Sequence, residues 1–441
     1  MGLSEYLYVI REGFMKPFAL IQNITEGCLD GLLLSLYGEA QLDTQKQRYI
    51  AALKEFSALY GELEDTHIFS VPGRSEISGN HTDHNRGCVL AASIDLDMIA
   101  IAAATDDGVI RLKSEGFDAD TVSIADRDST KTNRYSSASL IAGVADGMLK
   151  AGYTVGGFVS YTTNNVFKGS GLSSSAAFEV MIGNILRTLY HNDISDIEIA
   201  KIAQYAENEF FGKPCGLMDQ TACAVGGFIA IDFEDPKNPI VEKPSFDLSA
   251  LGYSLCIVNT GGNHADLNED YASVPAEMKA VAKALGKEVL REVSYDTLFH
   301  AIPTLRQTVG DRAILRALHY LAENKRVARQ SEALASGDVS TFLALVNESG
   351  ASSFRYLQNV YTVKNVEEQG LSLALALTER FLAEVPRQSA CRVHGGGFAG
   401  TIQAFVPEEN ASDYAAMMDA VFGAGACHIL KIRQKGAIAL V

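Results

Sequence analysis

Between a stretch that reads as a strand, Gly157 to Thr163, and a long apolar-periodic helix, Ser174 to Tyr190, the chain passes through Gly-Ser-Gly-Leu-Ser-Ser-Ser-Ala-Ala at residues 169–177. Strand, small-residue loop and helix in that order constrain the fold strongly. Glycines let a backbone approach a polyphosphate, the helix N-terminus offers unpaired N–H groups and a positive dipole end, and serines add hydroxyls for phosphate or Mg2+. No Lys follows the glycines, so the G-x-x-x-x-G-K-[ST] pattern is absent and a P-loop fold is not implied. The same letters also suit a plain flexible connector.

A chain of 441 residues has length for two or three domains, at a prior of roughly 150 residues each. Hydrophobic residues make up 47% and charged residues 21%, a globular balance that argues against disorder. Lys and Arg number 37 against 54 Asp and Glu, a net charge of −17, so no basic surplus exists to neutralise a phosphate backbone. Nucleic acid is not an expected partner. The seven Cys residues are odd in number and never spaced C-x-x-C, which argues against a disulfide framework or a zinc knuckle and makes a reducing cytoplasm the expected compartment. Glu5, Arg11, Glu12 and Lys16 interrupt residues 1–22, so neither a signal peptide nor a membrane association is expected.

Residues 1–45 read as an N-terminal extension, with helical apolar spacing from Tyr49 to Gly61. Ile94 to Ala104, the Asp107-Gly108 turn and Val109 to Lys113 predict a hairpin. Asp196 to Phe211 predicts a helix capped by Asp193 or Ser195 and stopped at Gly212 and Pro214, with a short helix at Met218 to Ala224. Pro236, Pro239 and Pro244 mark a linker and place a domain boundary near residue 240. Beyond it, Leu255 to Thr260 and Thr401 to Val406 read as strands, Tyr271 to Leu285 and Arg312 to Ala335 as helices. Without a regular βα alternation, the expected class is α+β, with domains at 46–240 and 241–441.

Gly395-Gly-Gly-Phe-Ala-Gly400 matches G-x-G-x-x-G by letter. A strand-like segment follows it where a dinucleotide fingerprint requires a helix, so that reading is rejected; a turn beside a phosphate and a purely structural turn both remain. Residues 72–85, Pro-Gly-Arg-Ser-Glu-Ile-Ser-Gly-Asn-His-Thr-Asp-His-Asn, crowd planar polar side chains of the kind that bind sugar hydroxyls. A metal site on His81, Asp83 and His84, or a solvated polar loop, are the alternatives. Within residues 206–220, Glu207 offers a carboxylate for Mg2+ and Asp219 one for proton abstraction, although each alone also reads as a surface or capping acid. His191, His300, His319 and His428 have no supporting constellation and read as structural or exposed.

Together these blocks resemble the three signature motifs of the GHMP sugar and metabolite kinases, and the first narrows the resemblance to the galactokinase family. The family motif G-R-x-N-x-x-G-E-H-T-D-Y-N meets G-R-S-E-I-S-G-N-H-T-D-H-N at residues 73–85, and A-E-x-E-F-x-G-x-x-C-G-x-M-D-Q is met at 206–220. The second and third motifs fall on residues 169–177 and 392–400, and the likeness spans residues 47–441. It implies a two-domain GHMP kinase fold of mixed sheets and helices, a sugar and MgATP bound at the domain interface, and phosphoryl transfer to the C1 hydroxyl of galactose. By the same resemblance, Asp219 is the base and Arg74 the charge stabiliser. Gly169, Ser170, Gly171, Leu172, Ser173, Ser174 and Ser175 form the ATP phosphate loop, and Ser175 and Glu207 hold Mg2+. The sugar contacts are Asn80, His81, Thr82, Asp83 and Tyr271.

Four positions depart from the family pattern: Glu76 stands for Asn, Asn80 for Glu, His84 for Tyr, and Phe167 for a Pro. The family's residue at position 80 contacts the exocyclic C6 hydroxyl, so losing that charge could admit a C6 carboxylate. A 1-kinase for a sugar such as galacturonate is therefore one alternative. Others are a catalytically silent ATP- and sugar-binding regulator, and a kinase for a mevalonate-type alcohol, which the His81-Thr82-Asp83 and Met218-Asp219-Gln220 contexts disfavour.

Overall fold

The computed structural model describes residues 15–126, 133–166, 171–213, 215–262 and 267–441. Helices α1 (Pro17–Thr25), α2 (Asp30–Tyr37) and α3 (Leu42–Tyr60) precede strands β1 (His67–Ser78), β2 (Cys88–Thr105), β3 (Val109–Ser114) and β4 (Ala119–Ser123). Then come α4 (Ser137–Lys150), β5 (Gly157–Asn164), α5 (Ser174–Leu189), α6 (Asp196–Tyr205), α7 (Met218–Val225), β6 (Phe228–Asp232) and β7 (Ile240–Glu242). The remainder comprises β8 (Tyr253–Asn259), α8 (Asn268–Ala284), α9 (Tyr295–Thr308), α10 (Asp311–Ser336), α11 (Val339–Ser352), α12 (Gly370–Ala383), β9 (Ala390–Val393) and β10 (Thr401–Pro407), closed by α13 (Glu408–Phe422), β11 (Cys427–Leu430) and β12 (Ile438–Ala439).

The larger sheet runs β12-β1-β2-β5-β3-β4, with β6 and β7 continuing from β2. β2 and β3 are therefore not the expected hairpin. The Asp107 carboxylate does fix the turn, accepting from Val109 N and Thr105 Oγ1. However, β5 lies between the two strands, antiparallel to β2 and parallel to β3. A turn signal sets where the chain bends, and the hydrogen-bond partner is chosen by strands far away in sequence.

Alternation along β2 puts a layer of helices on each face. Met98, Ala100 and Ala102 pack toward α4–α6, while Ile99, Ile101 and Ala103 pack against Leu20, Leu33, Leu53 and Phe56 of α1–α3. From residue 17 onward the N-terminal segment is thus no appendage, because without it one face of the sheet would lie open. Beneath these helices the fully buried Asp97 accepts from Arg48 at 2.6 Å, Tyr37 at 2.5 Å and Arg433 at 3.1 Å, and also from Ser70. This knot ties α2 and α3 to the sheet and to the C-terminal segment that supplies β12.

The smaller sheet, β11-β8-β10-β9, is antiparallel throughout. Gly395–Gly400 joins its neighbouring strands β9 and β10 as a turn, with Gly395, Gly397 and Gly400 all at positive φ, which agrees with rejecting a dinucleotide fingerprint. Ser195 caps α6 through the Glu198 N–H. The predicted single helix to Phe211 instead changes at Ala206 into a π-helical segment, Ala206–Phe211, which re-aims Glu207 relative to the preceding turns.

Candidate active site

β1 carries Arg74 and Glu76 on one face, opposite Ser93 and Ala91 of β2. The Arg74 guanidinium is nearly buried and forks onto Asp219 in the first turn of α7, Nε to Oδ1 at 2.8 Å and Nη2 to Oδ2 at 2.7 Å. Its Nη1 donates to Gly171 O, and its backbone N–H to Leu172 O at 3.1 Å, so the strand also grips the small-residue loop. Gly73 permits that approach, since a Cβ there would meet Leu172 O at 2.8 Å. Ser173 adds a third bond to the carboxylate, Oγ to Oδ2 at 2.6 Å. Asp219 thereby accepts one bond on Oδ1 and two on Oδ2, leaving Oδ1 the oxygen with room for another donor. Burial works to lower the Arg74 pKa, but Asp219 outweighs it and the guanidinium stays firmly charged.

Beside this pair lies a cavity of about 160 Å³ lined by Glu76, Asn80, His81, Asp83, Met218 and Gly396, among others. Its floor is fixed by the second half of the chain. Glu323 of α10 accepts from Gly79 N at 3.0 Å, Arg392 of β9 donates to Ile77 O at 3.0 Å, and Gln403 of β10 donates to Glu76 O at 2.8 Å. His319 donates from Nε2 to Asn80 O at 3.0 Å. His81, at φ 59°, places Nε2 at 2.9 Å from Gly396 O; burial lowers its pKa to about 4, so it donates there as a neutral imidazole. Burial raises the Glu76 pKa, with Arg392, Asn80 and Arg74 acting against it.

Glu207 sits in the π-helical segment, its Oε1 3.3 Å from Lys213 Nζ and its Oε2 accepting from Gln220 Nε2 at 2.9 Å. The same Gln220 nitrogen donates to Glu179 Oε2 at 3.2 Å, while Glu179 Oε1 and Gln220 Oε1 are buried without a partner among the described residues. Burial, and then Glu207 alongside, push the Glu179 pKa well above the ordinary range. Ser175 lies in the first turn of α5 and is partly exposed. Among the described residues no group of three His, Cys, Asp or Glu converges as a cage, which disfavours the His81, Asp83 and His84 alternative. A carboxylate and a hydroxyl are instead the donor set that suits Mg2+ completing its shell with waters and substrate phosphates.

The structure treats the expected residues differently. Asn80, His81 and Asp83 line the cavity, Arg74, Ser173 and Asp219 are joined by hydrogen bonds, Gly171 and Leu172 supply backbone oxygens to Arg74, and Glu207 is held apart from them by Lys213 and Gln220. Thr82 is fully buried, and its hydroxyl, with one proton to give, lies 2.8 Å from Gly79 O and 2.7 Å from Cys88 O, where it holds the loop. Asn80 lines the cavity; its Nδ2 donates to Glu76 Oε1 at 3.0 Å and Gly395 O at 2.7 Å, and its Oδ1 accepts from Asn359 Nδ2 at 2.6 Å, so both amide protons are spent on the protein. Tyr271 donates to Gly397 O at 2.8 Å and stacks edge-on to Phe398, bracing the glycine turn. Gly169 and Ser170 lie outside the described residues.

Sequence reasoning passes over three residues. It gives Ser173 to phosphate alone, and nothing local hints at the bond to Asp219. His319 belongs to no site motif in the sequence and yet is fully buried, bonded to Asn80 O of the loop after β1. Glu76 stands out only as a departure from the motif.

Comparison with known proteins gives the family and the fold. Residues 54–104 match the galactokinase galactose-binding signature, and residues 136–227 the GHMP kinases N terminal domain. A galactokinase of Streptomyces coelicolor is 32% identical over 367 residues, covering 82% of this chain and 88% of the relative. The crystal structure of Lactococcus lactis galactokinase complexed with galactose superposes with a TM-score of 0.72 at 24% identity, covering 87% of this chain and 98% of that one. L. major mevalonate kinase in complex with R-mevalonate aligns less closely, with a TM-score of 0.56 at 16% identity over 84% of this chain and 96% of the other.

Proposed function

This chain belongs to the galactokinase family of GHMP kinases and is an ATP-dependent sugar kinase, and on that premise we propose that it converts galactose and ATP to galactose 1-phosphate and ADP. The observation that carries the reading is the Asp219 carboxylate, clamped by Arg74 and Ser173 beside a small polar cavity. In this reading the C1 hydroxyl donates to the open side of Asp219 Oδ1. As its oxygen bonds to the γ-phosphorus, the proton passes to Asp219 and the bond from phosphorus to the β–γ bridging oxygen breaks, releasing ADP.

Arg74 serves twice. Its charge keeps Asp219 ionised, and it offsets negative charge on the transferring group. In this reading residues 169–175 are the phosphate loop, whose described end, Ser173 to Ser175, opens α5. Glu207 and Ser175 are the Mg2+ ligands in this reading; the cation would neutralise phosphate charge, with Gln220 orienting the Glu207 carboxylate. His81 and Asp83 contact the sugar, and Tyr271 shapes the turn over it. Residues 46–240 and 241–441 are the two lobes, and the enzyme works in the cytoplasm on small molecules. Positioning and charge neutralisation supply most of the rate.

The test is an ADP-release assay with MgATP against galactose, N-acetylgalactosamine, glucose, arabinose and galacturonate. Galactose is expected to give the highest kcat/KM. Silence with galactose, alongside turnover of another member of the panel, would overturn the assignment.

A further inference from the structure

The cavity beside Asp219 holds a second carboxylate that the reaction does not use. Glu76 lies two residues from Arg74 on the same face of β1, which separates their Cα atoms by about 6.6 Å, the scale of one sugar ring. Glu76 lines the cavity together with His81, Asp83 and Met218, the residue before Asp219, so a sugar held there meets the Glu76 side chain. The Glu76 carboxylate has one hydrogen-bond partner among the described residues, Asn80 Nδ2, on Oε1. Asn80, by contrast, has both amide protons engaged by Glu76 and Gly395 and its oxygen engaged by Asn359. Between them, positions 76 and 80 hold the motif's Asn and Glu in exchanged places, with the carboxylate kept in the same pocket four residues earlier.

Resting on the galactose kinase reading, we propose that Glu76, and not Asn80, is the specificity-determining residue for the end of the sugar remote from C1, accepting a hydrogen bond from the exocyclic hydroxyl through Oε2. Asn80 is the positioning residue that holds Glu76 in place. The carboxyl group has not left the pocket, and Asp83 lines it as well, so a sugar bearing a carboxylate at that end is set against acidic side chains in a desolvated site. Acidic sugars are excluded by Glu76, whereas an analogue lacking the hydroxyl leaves Glu76 with an unmatched acceptor.

The experiment is calorimetric binding of galactose, 6-deoxygalactose and galacturonate to the full chain, with galactose turnover measured in parallel. The wild type, Glu76→Gln and the double exchange Glu76→Asn with Asn80→Glu are compared. In Glu76→Gln the amide oxygen can still accept from Asn80 Nδ2, so the loop is retained, and thermal melting checks that it is. The wild type is expected to bind galactose about ten- to a hundredfold more tightly than 6-deoxygalactose, the range of a hydrogen bond to a charged acceptor, and not to bind galacturonate. Glu76→Gln should lose that factor for galactose only, and the double exchange should restore it. Equal binding of galactose and 6-deoxygalactose by the wild type, tight binding of galacturonate, or an unchanged preference in folded Glu76→Gln would each overturn the proposal. The expected binding pattern without phosphoryl transfer would sink the kinase reading and leave the Glu76 assignment standing. Failure of all three sugars to bind would overturn both.

Discussion

Replacing Ser173 by Ala should slow turnover about tenfold while leaving the fold intact, because this serine is not doing what a helix-starting serine ordinarily does. It occupies the N-cap of α5 at φ 60° and ψ 56°, yet its side chain makes no capping bond. Its hydroxyl instead donates to Asp219 Oδ2 at 2.6 Å. Loss of an ordinary Ser cap costs about 1 kcal/mol of stability, and none of that is at stake here. A hydrogen bond to a charged acceptor contributes about 1.5–3 kcal/mol. The Asp219 side chain is 31% exposed, so solvent replaces part of that bond and the value falls at or slightly below the low end, about 1.4 kcal/mol, which is tenfold in rate. Steady-state kinetics and calorimetric melting on the same preparation decide the matter. The expected result is kcat reduced about tenfold, sugar KM changed less than twofold, and Tm within about 2 °C of wild type. A loss of activity that follows a falling Tm, or an unchanged kcat, would refute the reasoning.

Two further substitutions probe the scaffold. Asp97→Ala strands the buried Arg433 and the mostly buried Arg48 without their carboxylate, and should cost about 3–5 kcal/mol in urea unfolding. Burial raises the Asp97 pKa, but Arg48 and Arg433 outweigh it, so the folded value is lowered. The stabilisation is therefore fully present above the ordinary value of about 3.9 and is lost as pH falls through the lowered folded value. The gap between wild type and variant should stay constant from about pH 7 to pH 5 and shrink only in acid; a gap closing near neutrality would contradict this. Gly397→Ala puts a Cβ 2.0 Å from Asn359 O at φ 80°, adding to a left-handed penalty of about 1–2 kcal/mol. Displacing Asn359 frees Asn80, and sugar KM should rise about tenfold, by the value of the lost buried hydrogen bonds; an unchanged KM would contradict the bracing role.

The fold class is legible in the sequence because its cues there are local. The apolar spacing of α5 and α10, the Ser195 cap and the short helix carrying Asp219 all lie where their own residues put them. The β2–β3 pairing is not legible because the strand that intervenes, β5, enters more than 40 residues later, and no local turn signal encodes such a partner. The part played by the three N-terminal helices escapes for a related reason. Their apolar stripes are visible, but the sheet face they cover is not. In the site, motif spacing is enough to find Arg74 and Asp219, whereas the roles of Thr82 and Asn80 depend on where their hydrogen bonds go. The partners of the Asn80 amide are seen only once Gly395 and Asn359, from distant parts of the chain, stand beside it.

The central claim is that Asp219, held by Arg74, takes the proton from the sugar hydroxyl. The most direct measurement is single-turnover phosphoryl transfer from ATP to galactose by Asp219→Asn, with galactose and nucleotide affinities determined on the same protein. The account predicts that both substrates bind within a few-fold of wild type while transfer falls by about 10²–10⁴, the range of general-base catalysis. Transfer at a near-normal rate would contradict it.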